Sequence, residues 1–168
     1  LLGMTEPLAL KVMNSPIGKI AIGTTDKGVA ELQILVGTIS RVEFSSSAKA
    51  HKFALDAADQ LSEYFAGSNK SFRVPLDIQG TQFQQHVWDQ ISKLKFGEQK
   101  TYADIASAID NPRAVRAVGG AVGANPVPLL IGCHRVLGSQ RKITGYSGGE
   151  GIATKRWLLN FEQIDYRE

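Results

Sequence analysis

Apolar residues in the first third of the chain fall into short runs, Leu8 to Met13, Ile17 to Thr24 and Val29 to Val36, separated by Ser15-Pro16 and Asp26-Lys27-Gly28. Runs of this length between turn-forming residues predict strands. Asp-Lys-Gly predicts a hairpin with a three-residue loop ending in Gly28. A further short strand is expected over Ser40 to Phe44, before Ser45-Ser46-Ser47 breaks the pattern. From Lys49 to Phe65 the spacing changes. Ala50, Phe53, Ala54, Ala57, Leu61 and Phe65 recur with a helical period, and Gly67-Ser68-Asn69 closes that helix.

Ser68 to Gly80, with Pro75 inside it, reads as a linker or meander. A second unit starts near Thr81, where Phe83, Val87, Trp88, Ile91 and Leu94 share one helical face that stops at Phe96-Gly97. Thr101 followed by Asp104 has the spacing of a capping box for a short helix, Tyr102 to Ile109. Asp110-Asn111-Pro112 then predicts a stop, a cap and a proline at the first position of the next helix. That helix is expected to run from Pro112 to about Val122 and to end at Gly123 or Asn125. Two short helices around a tight turn have the shape of a helix-turn-helix. A last helix, Ala153 to Phe161, is expected to turn Trp157, Leu158 and Phe161 inward and to leave Glu162 at its end, able to reach back into the fold. The expected fold class is α/β (α+β), in two domains: 1–78, a small antiparallel sheet plus a helix, and 79–168, mostly helical.

Composition narrows the class. The 168 residues are 43% hydrophobic and 21% charged, which are globular values, and a chain of this length buries a real core. No apolar run approaches the ~20 residues that span a bilayer, so no membrane partner is expected. The start Leu1-Leu2-Gly3 lacks the basic lead of a signal peptide. A lone cysteine then suggests a reducing setting, the cytoplasm, or the nucleus in a eukaryote. Net charge is only +3, but it is uneven. Between Asp110 and Glu150 there is no acidic residue, while Arg113, Arg116, Arg135, Arg141 and Lys142 all fall there. A basic block on an otherwise slightly acidic chain is the footprint of a polyanion partner; arginines scattered on a solvated loop are the alternative.

The helix inside that block carries Ala114, Val115, Ala117, Val118, Gly119, Gly120 and Ala121, with Arg113 and Arg116 as its only charges. It has little with which to read base edges in a major groove. Its small side chains permit close approach, either to the walls of a minor groove or to another helix. Beyond it, Asn125 can bond backbone groups ahead of it, and Pro126 and Pro128 stiffen the approach to the chain's only cysteine, Cys133, in Ile131-Gly132-Cys133-His134-Arg135-Val136. Cationic and proton-accepting neighbours favour a thiolate; a buried structural cysteine is the alternative. In Thr144-Gly145-Tyr146-Ser147-Gly148-Gly149 an aromatic ring between glycines can close over a flat ligand, or the stretch is an ordinary Gly-rich turn. Cys, His and a distant acid form the nucleophile, base and orienter of covalent catalysis. One Cys and three scattered His do not make a metal centre or a redox pair.

From about Thr81 to Glu162 these blocks together resemble the O(6)-alkylguanine-DNA alkyltransferases, which repair DNA by direct reversal of the damage. The resemblance rests on Phe96-Gly97-Glu98 with Thr101-Tyr102, on Asn111-Pro112-Arg113-Ala114-Val115-Arg116-Ala117-Val118-Gly119, on Asn125-Pro126, on Cys133-His134-Arg135-Val136, and on Gly145-Tyr146-Ser147-Gly148-Gly149. It implies a ribonuclease-H-like N-terminal sheet and a winged-helix or helix-turn-helix C-terminal domain. It implies single-turnover transfer of an alkyl group from O(6) of guanine, and from O(4) of thymine, in duplex DNA to Cys133, after the base is flipped out from the minor groove. His134 would act through a water as base, Glu162 would hold its tautomer, and Tyr102 would protonate the departing guanine. Arg116 would fill the gap in the stack, with Arg113, Ala114, Ala117, Thr101 and Arg135 along the DNA. Asn125 would be the hinge, and Val136, Tyr146 and Ser147 would line the base pocket. No cofactor is implied, a monomer is expected, and the zinc site or disulfide of some members is not. The family usually has Pro before the Cys, and this chain has Gly132. The alternatives are a non-catalytic binder of alkylated DNA and a helix-turn-helix transcriptional regulator.

Overall fold

Four strands and a helix make up the first of two units. A computed structural model describes residues 6–168, so the Leu1-Leu2-Gly3 start lies outside the described residues. One unit ends at Gln79 and the next begins at Gly80. The first contains β1 (Ala9–Met13), β2 (Ile20–Thr25), β3 (Gly28–Ile34), β4 (Phe44–Ser45) and α1 (Ala48–Phe65). The sheet has the order β3-β2-β1-β4 with antiparallel neighbours. Ile20 and Ile22 pair with Ile34 and Leu32, so these four side chains share one face. Helix α1 buries Ala50, Ala54, Ala57, Ala58, Leu61 and Tyr64. Alanines on the packing stripe let the helix lie close, and Thr24 Oγ1 donates to the Ala50 carbonyl at 2.6 Å. Each fully buried Ile or Leu contributes about 1.5–3 kcal/mol here.

Three local expectations change. The hairpin loop is two residues, because Gly28 pairs with Thr25 and so joins the strand. Gly28 sits at φ 150, and a Cβ there would collide with the Pro75 carbonyl. That approach is used: Val29 N donates to Pro75 O at 2.9 Å and Asp77 N to Val29 O at 2.7 Å, so this part of the expected linker is laid along β3. Strand β4 covers only two residues of the expected Ser40 to Phe44. Side chains hold the segment before it instead, with Arg41 on Glu31 and Gln33, and Glu43 accepting from Val12 N.

The second unit runs α2 (Gln82–Ser92), β5 (Lys100–Thr101), α3 (Tyr102–Ala108), α4 (Val115–Gly123), a 3-10 turn (Cys133–Arg135), β6 (Val136–Leu137), a second such turn (Ser139–Arg141) and α5 (Ile152–Phe161). Capping boxes start α2 at Thr81 with Gln84 and α3 at Thr101 with Asp104. Helix α4 starts later than expected. Asp110 takes a left-handed φ of 59, Asn111 N donates back to Ala106 O, and Asn111 O accepts from Ala114 N. Asn111 and Pro112 thus form their own turn, and α4 begins after Ala114 without a side-chain cap. In α5 the inward residues are Thr154, Lys155, Leu158 and Leu159. Trp157 and Phe161, expected inside, are half-buried and stack on each other at 5.0 Å. Leu159 packs with Leu137 and Ile164 under the site. Strands β5 and β6 pair in parallel, Lys100 with Val136 and Thr101 with Leu137. This short ladder brings the Cys133 turn beside the start of α3.

Candidate active site

The thiol is presented by a sequence of tight turns. Asn125 Nδ2 donates to Ile131 O at 2.9 Å and its Oδ1 accepts from Val127 N at 2.9 Å, tying the end of α4 to the approach to Cys133. Cys133 N donates to Ile131 O at 2.7 Å around Gly132, whose φ −73 and ψ 61 are those of an inverse γ-turn. Arg135 N then donates to Gly132 O at 3.0 Å. Cys133 is 3% exposed. It borders a pocket of ≈ 50 Å³ whose other walls are Tyr102, Gly119, Val122, Gly123, Gly145, Tyr146 and Ser147.

Behind the thiol lies a buried charged cluster. His134, fully buried, meets Glu162 Oε2 through Nε2 at 2.6 Å. Glu162 also takes Arg135 Nε on Oε1 at 2.8 Å, Arg135 Nη2 on Oε2 at 3.0 Å, and Gly97 N on Oε1 at 3.0 Å. Burial alone would push the Glu162 carboxyl up, but His134 and Arg135 outweigh it and hold the group well below the usual carboxylate range. Burial pushes the imidazole of His134 down, against the pull of Glu162. His134 Nδ1 is buried without a protein partner.

Burial also pushes the Cys133 thiol up, while Asn125, the charge of Lys155 and Tyr146 pull it back. The cationic flank anticipated from Arg135 is therefore not what acts on the sulfur; that charge is engaged by Glu162. Lys155 takes its place. It is 1% exposed, donates from Nζ to Val136 O at 2.7 Å, and lies 3.4 Å from Thr144 Oγ1. Burial lowers its pKa to about 8, with the nearby Cys133 opposing. Thr144 Oγ1 is in turn 2.8 Å from the Tyr102 hydroxyl. Burial raises the Tyr102 pKa, partly offset by Thr144.

Cys133, Tyr102, Tyr146 and Ser147 come together on the pocket, and Ser147 Oγ donates to Gly123 O at 3.1 Å. Asn125 and Val136 do not line it; the Val136 carbonyl is occupied by Lys155. Arg113, Arg116 and Ala117 are exposed, and Thr101 and Ala114 are half-buried caps. Arg135 was expected along the DNA, and the structure corrects this: it is 7% exposed, with its guanidinium turned inward onto Glu162 and Leu94 O. Lys155 and Thr144 were not singled out from the sequence. The available signal was the helical face of Lys155, Leu158, Leu159 and Glu162, an apolar stripe with a charge at each end.

A Cβ added at Gly119, Gly120 or Gly123 would meet nothing within 4 Å. Packing inside the chain uses Val118, Ala121 and Val122. The bare face of α4 is therefore not needed for tight contact with another helix. Among the described residues no group of three His, Cys, Asp or Glu could hold a metal ion, and no helix is long and apolar enough to cross a membrane.

Comparison with known proteins follows the same division. Residues 8–78 match the 6-O-methylguanine DNA methyltransferase, ribonuclease-like domain, and residues 82–164 match the DNA binding domain of the same family. A methylated-DNA--protein-cysteine methyltransferase of Methanosarcina barkeri is 41% identical over 93% of this chain and 98% of its own length. The constitutive methylated-DNA--protein-cysteine methyltransferase of Bacillus subtilis is 48% identical over 67% of this chain and 68% of its own. The crystal structure of Mycobacterium tuberculosis OGT in complex with DNA superposes with a TM-score of 0.79 at 41% identity, covering 92% of each chain. With both units matched and that identity sustained nearly end to end, the chain belongs to the 6-O-methylguanine DNA methyltransferase family.

Proposed function

We propose that Cys133 accepts the alkyl group in the reaction of this family, DNA repair by direct transfer of a methyl group to a protein cysteine. The substrate is alkylated duplex DNA, with the group on O(6) of guanine or, as the family resemblance implies, O(4) of thymine. The observation that carries this reading is the placement of the only thiol in the sequence on a pocket bordered by the bare face of α4.

Each step has a group to perform it. The thiol, held protonated by burial, gives its proton to His134 Nδ1 through a water. The sulfur then attacks the alkyl carbon in line; the S–C bond forms as the C–O bond breaks. The electron pair left on the base is neutralised by a proton from the Tyr102 hydroxyl, so guanine leaves uncharged. A thioether does not reverse under these conditions, so each chain acts once.

The target must leave the duplex, because a thiol 3% exposed in a small pocket cannot reach a stacked base. Arg116 is exposed on α4, which supports a role for it in filling the gap from the minor groove, with Ala114 and Ala117 letting the helix approach and Arg113 and Thr101 near the phosphates. Tyr146 and Ser147 hold the base. The minor groove is favoured because glycines with open space above them leave room for groove walls. A single chain carries the whole constellation, which supports action as a monomer. Residues 1–78 hold none of it and serve as scaffold. The thiol must stay reduced to act, which favours a reducing compartment such as the cytoplasm.

Intact mass after incubation with one equivalent of a methylated duplex oligonucleotide tests this. A gain of one methyl group, located at Cys133 and absent in Cys133→Ala, is expected. Unchanged mass would mark a binder without transfer, and repeated turnover would refute the acceptor role.

A further inference from the structure

We propose that Arg135 is a positioning residue for the proton acceptor of the thiol: by gripping both oxygens of Glu162 it fixes the His134 imidazole as a neutral ring with its proton on Nε2 and its lone pair on Nδ1. The geometry begins with the carboxylate. Glu162 receives two donors on Oε1, from Arg135 Nε and Gly97 N, and two on Oε2, from His134 Nε2 and Arg135 Nη2. A carboxylate surrounded in this way accepts at every site and has no proton to give. The hydrogen in the 2.6 Å contact therefore belongs to His134 Nε2, and Nδ1 is left as the acceptor.

Arg135 has no freedom to drift from this role. Its third nitrogen, Nη1, donates to Leu94 O at 2.9 Å, at the end of α2. The space it occupies is left by Gly132: a Cβ there would lie 2.9 Å from Nη1 and 3.1 Å from Cδ and Cζ.

The charges act in the same sense. The groups around the imidazole are Glu162 at the end of α5, Arg135 and Cys133 on its own turn, and Lys155 from α5, with Tyr102 of α3 across the pocket. The positive charge of Arg135 cancels that of Glu162, so a second proton on the ring would sit in a buried site with no net counter-charge, near Lys155. A carboxylate facing the ring alone would instead favour the imidazolium.

This rests on the proposed function only for its kinetic arm. In the full chain, ¹⁵N spectra of the three histidines, with His134 assigned by its loss in His134→Gln, are expected to show a protonated Nε2 and an unprotonated Nδ1 at neutral pH and to keep that form below the ordinary imidazole range. In Arg135→Met the midpoint for ring protonation is expected to rise by about one unit or more. The acid limb of methyl transfer from a methylated duplex should move with it, while duplex affinity in a Cys133→Ala background stays the same. Arg135→Lys, which keeps the charge without the fork, should move the limb less. A wild-type ring protonated at Nδ1 overturns the proposal whether or not the variants fold. So does a variant slowed equally at every pH with an unmoved His134 spectrum, which marks a merely structural ion pair, or one whose duplex affinity falls, which marks a DNA contact. Correct histidine spectra with no methyl transfer by the wild type would sink the proposed function and leave this inference standing.

Discussion

Trp88 Nε1 donates to the carbonyl oxygen of Ala121 at 2.9 Å, joining α2 to the last turns of α4. Carbonyls there lack intrahelical donors; Ala124 N reaches the same oxygen only at 3.2 Å. Gly80 makes the arrangement possible, since a Cβ there would lie 2.6 Å from Trp88 Cη2. Trp88→Phe keeps an aromatic ring and removes the donor. It is expected to destabilise the chain by about 1–2 kcal/mol and to slow methyl transfer, because α4 borders the pocket. Urea denaturation and single-turnover kinetics read the two effects; unchanged stability would mean that the hydrogen bond carries nothing.

Lys155 predicts an alkaline limb. Its ammonium is present at pH 7 and is lost above about 8. Because that charge steadies the Cys133 thiolate, the transfer rate should fall as pH rises through this region. Stability moves the other way. The unfolded chain keeps the lysine proton up to its ordinary value of 10.5 while the folded chain gives it up near 8, so this group makes stability rise with pH across that window, against the opposite contribution of the Cys133 thiol. In Lys155→Met the rate limb should vanish and the rise in stability should be lost, leaving the fall that Cys133, with its raised thiol, contributes as pH passes its ordinary value of 9.0. Rate and denaturation midpoint measured from pH 7 to 10 check this, and parallel curves for the two proteins would refute it.

Gly132 has a φ of −73 that proline would tolerate, but any Cβ there presses on an Arg135 held at three nitrogens. Crowding of this kind costs about 1–3 kcal/mol. Gly132→Ala should therefore lower stability by that order less the about 0.4–1 kcal/mol that a stiffer unfolded chain returns to either substitution, and Gly132→Pro by less still, since its ring restricts the unfolded chain further. Thermal melts of the pair decide; a proline variant less stable than the alanine one contradicts the ranking.

Arg116 and Arg113 are both exposed and neither has a salt-bridge partner among the described residues. Arg116→Ala should leave stability within about 0.5 kcal/mol and slow transfer from duplex DNA much more than transfer from a methylated base supplied free. Arg113→Ala should mainly weaken duplex binding and lower its salt dependence, as loss of one phosphate contact does. An Arg116 variant slowed equally on both substrates would remove that side chain from base extrusion.

Periodicity and turn chemistry carried β1, β2, β3, α1, α2, α3 and α5 from sequence, because those elements obey local rules, whereas the two-residue β5 and β6 gave no pattern to read. Where a distant group intervened, the reading failed. Gly28 extends the strand by pairing with Thr25 and is bare where Pro75 comes against it, and Asn111 caps nothing because Asp110 turns the chain left-handed first. At the site, Cys133, His134 and Glu162 were legible as a set from residue type and family pattern. Arg135 was misread, because a charge in a basic block looks exposed until Glu162, twenty-seven residues on, is seen to claim it. Lys155 was missed for the converse reason: nothing in its own neighbourhood says that a lysine will be buried against the Val136 carbonyl.

Glycines in the middle of a helix cost about 1 kcal/mol each relative to alanine, and α4 has Gly119 and Gly120 with empty space above them. The free chain therefore carries a segment weaker than its surroundings require, held only from its buried side by Val118, Ala121, Val122 and the Trp88 hydrogen bond. Under the proposed function, compensation comes from outside, when a double helix lies along that face. Recognition and rigidity of α4 are then one event, and a version of this protein selected for heat resistance alone would be drawn toward filling the very surface by which it finds damage.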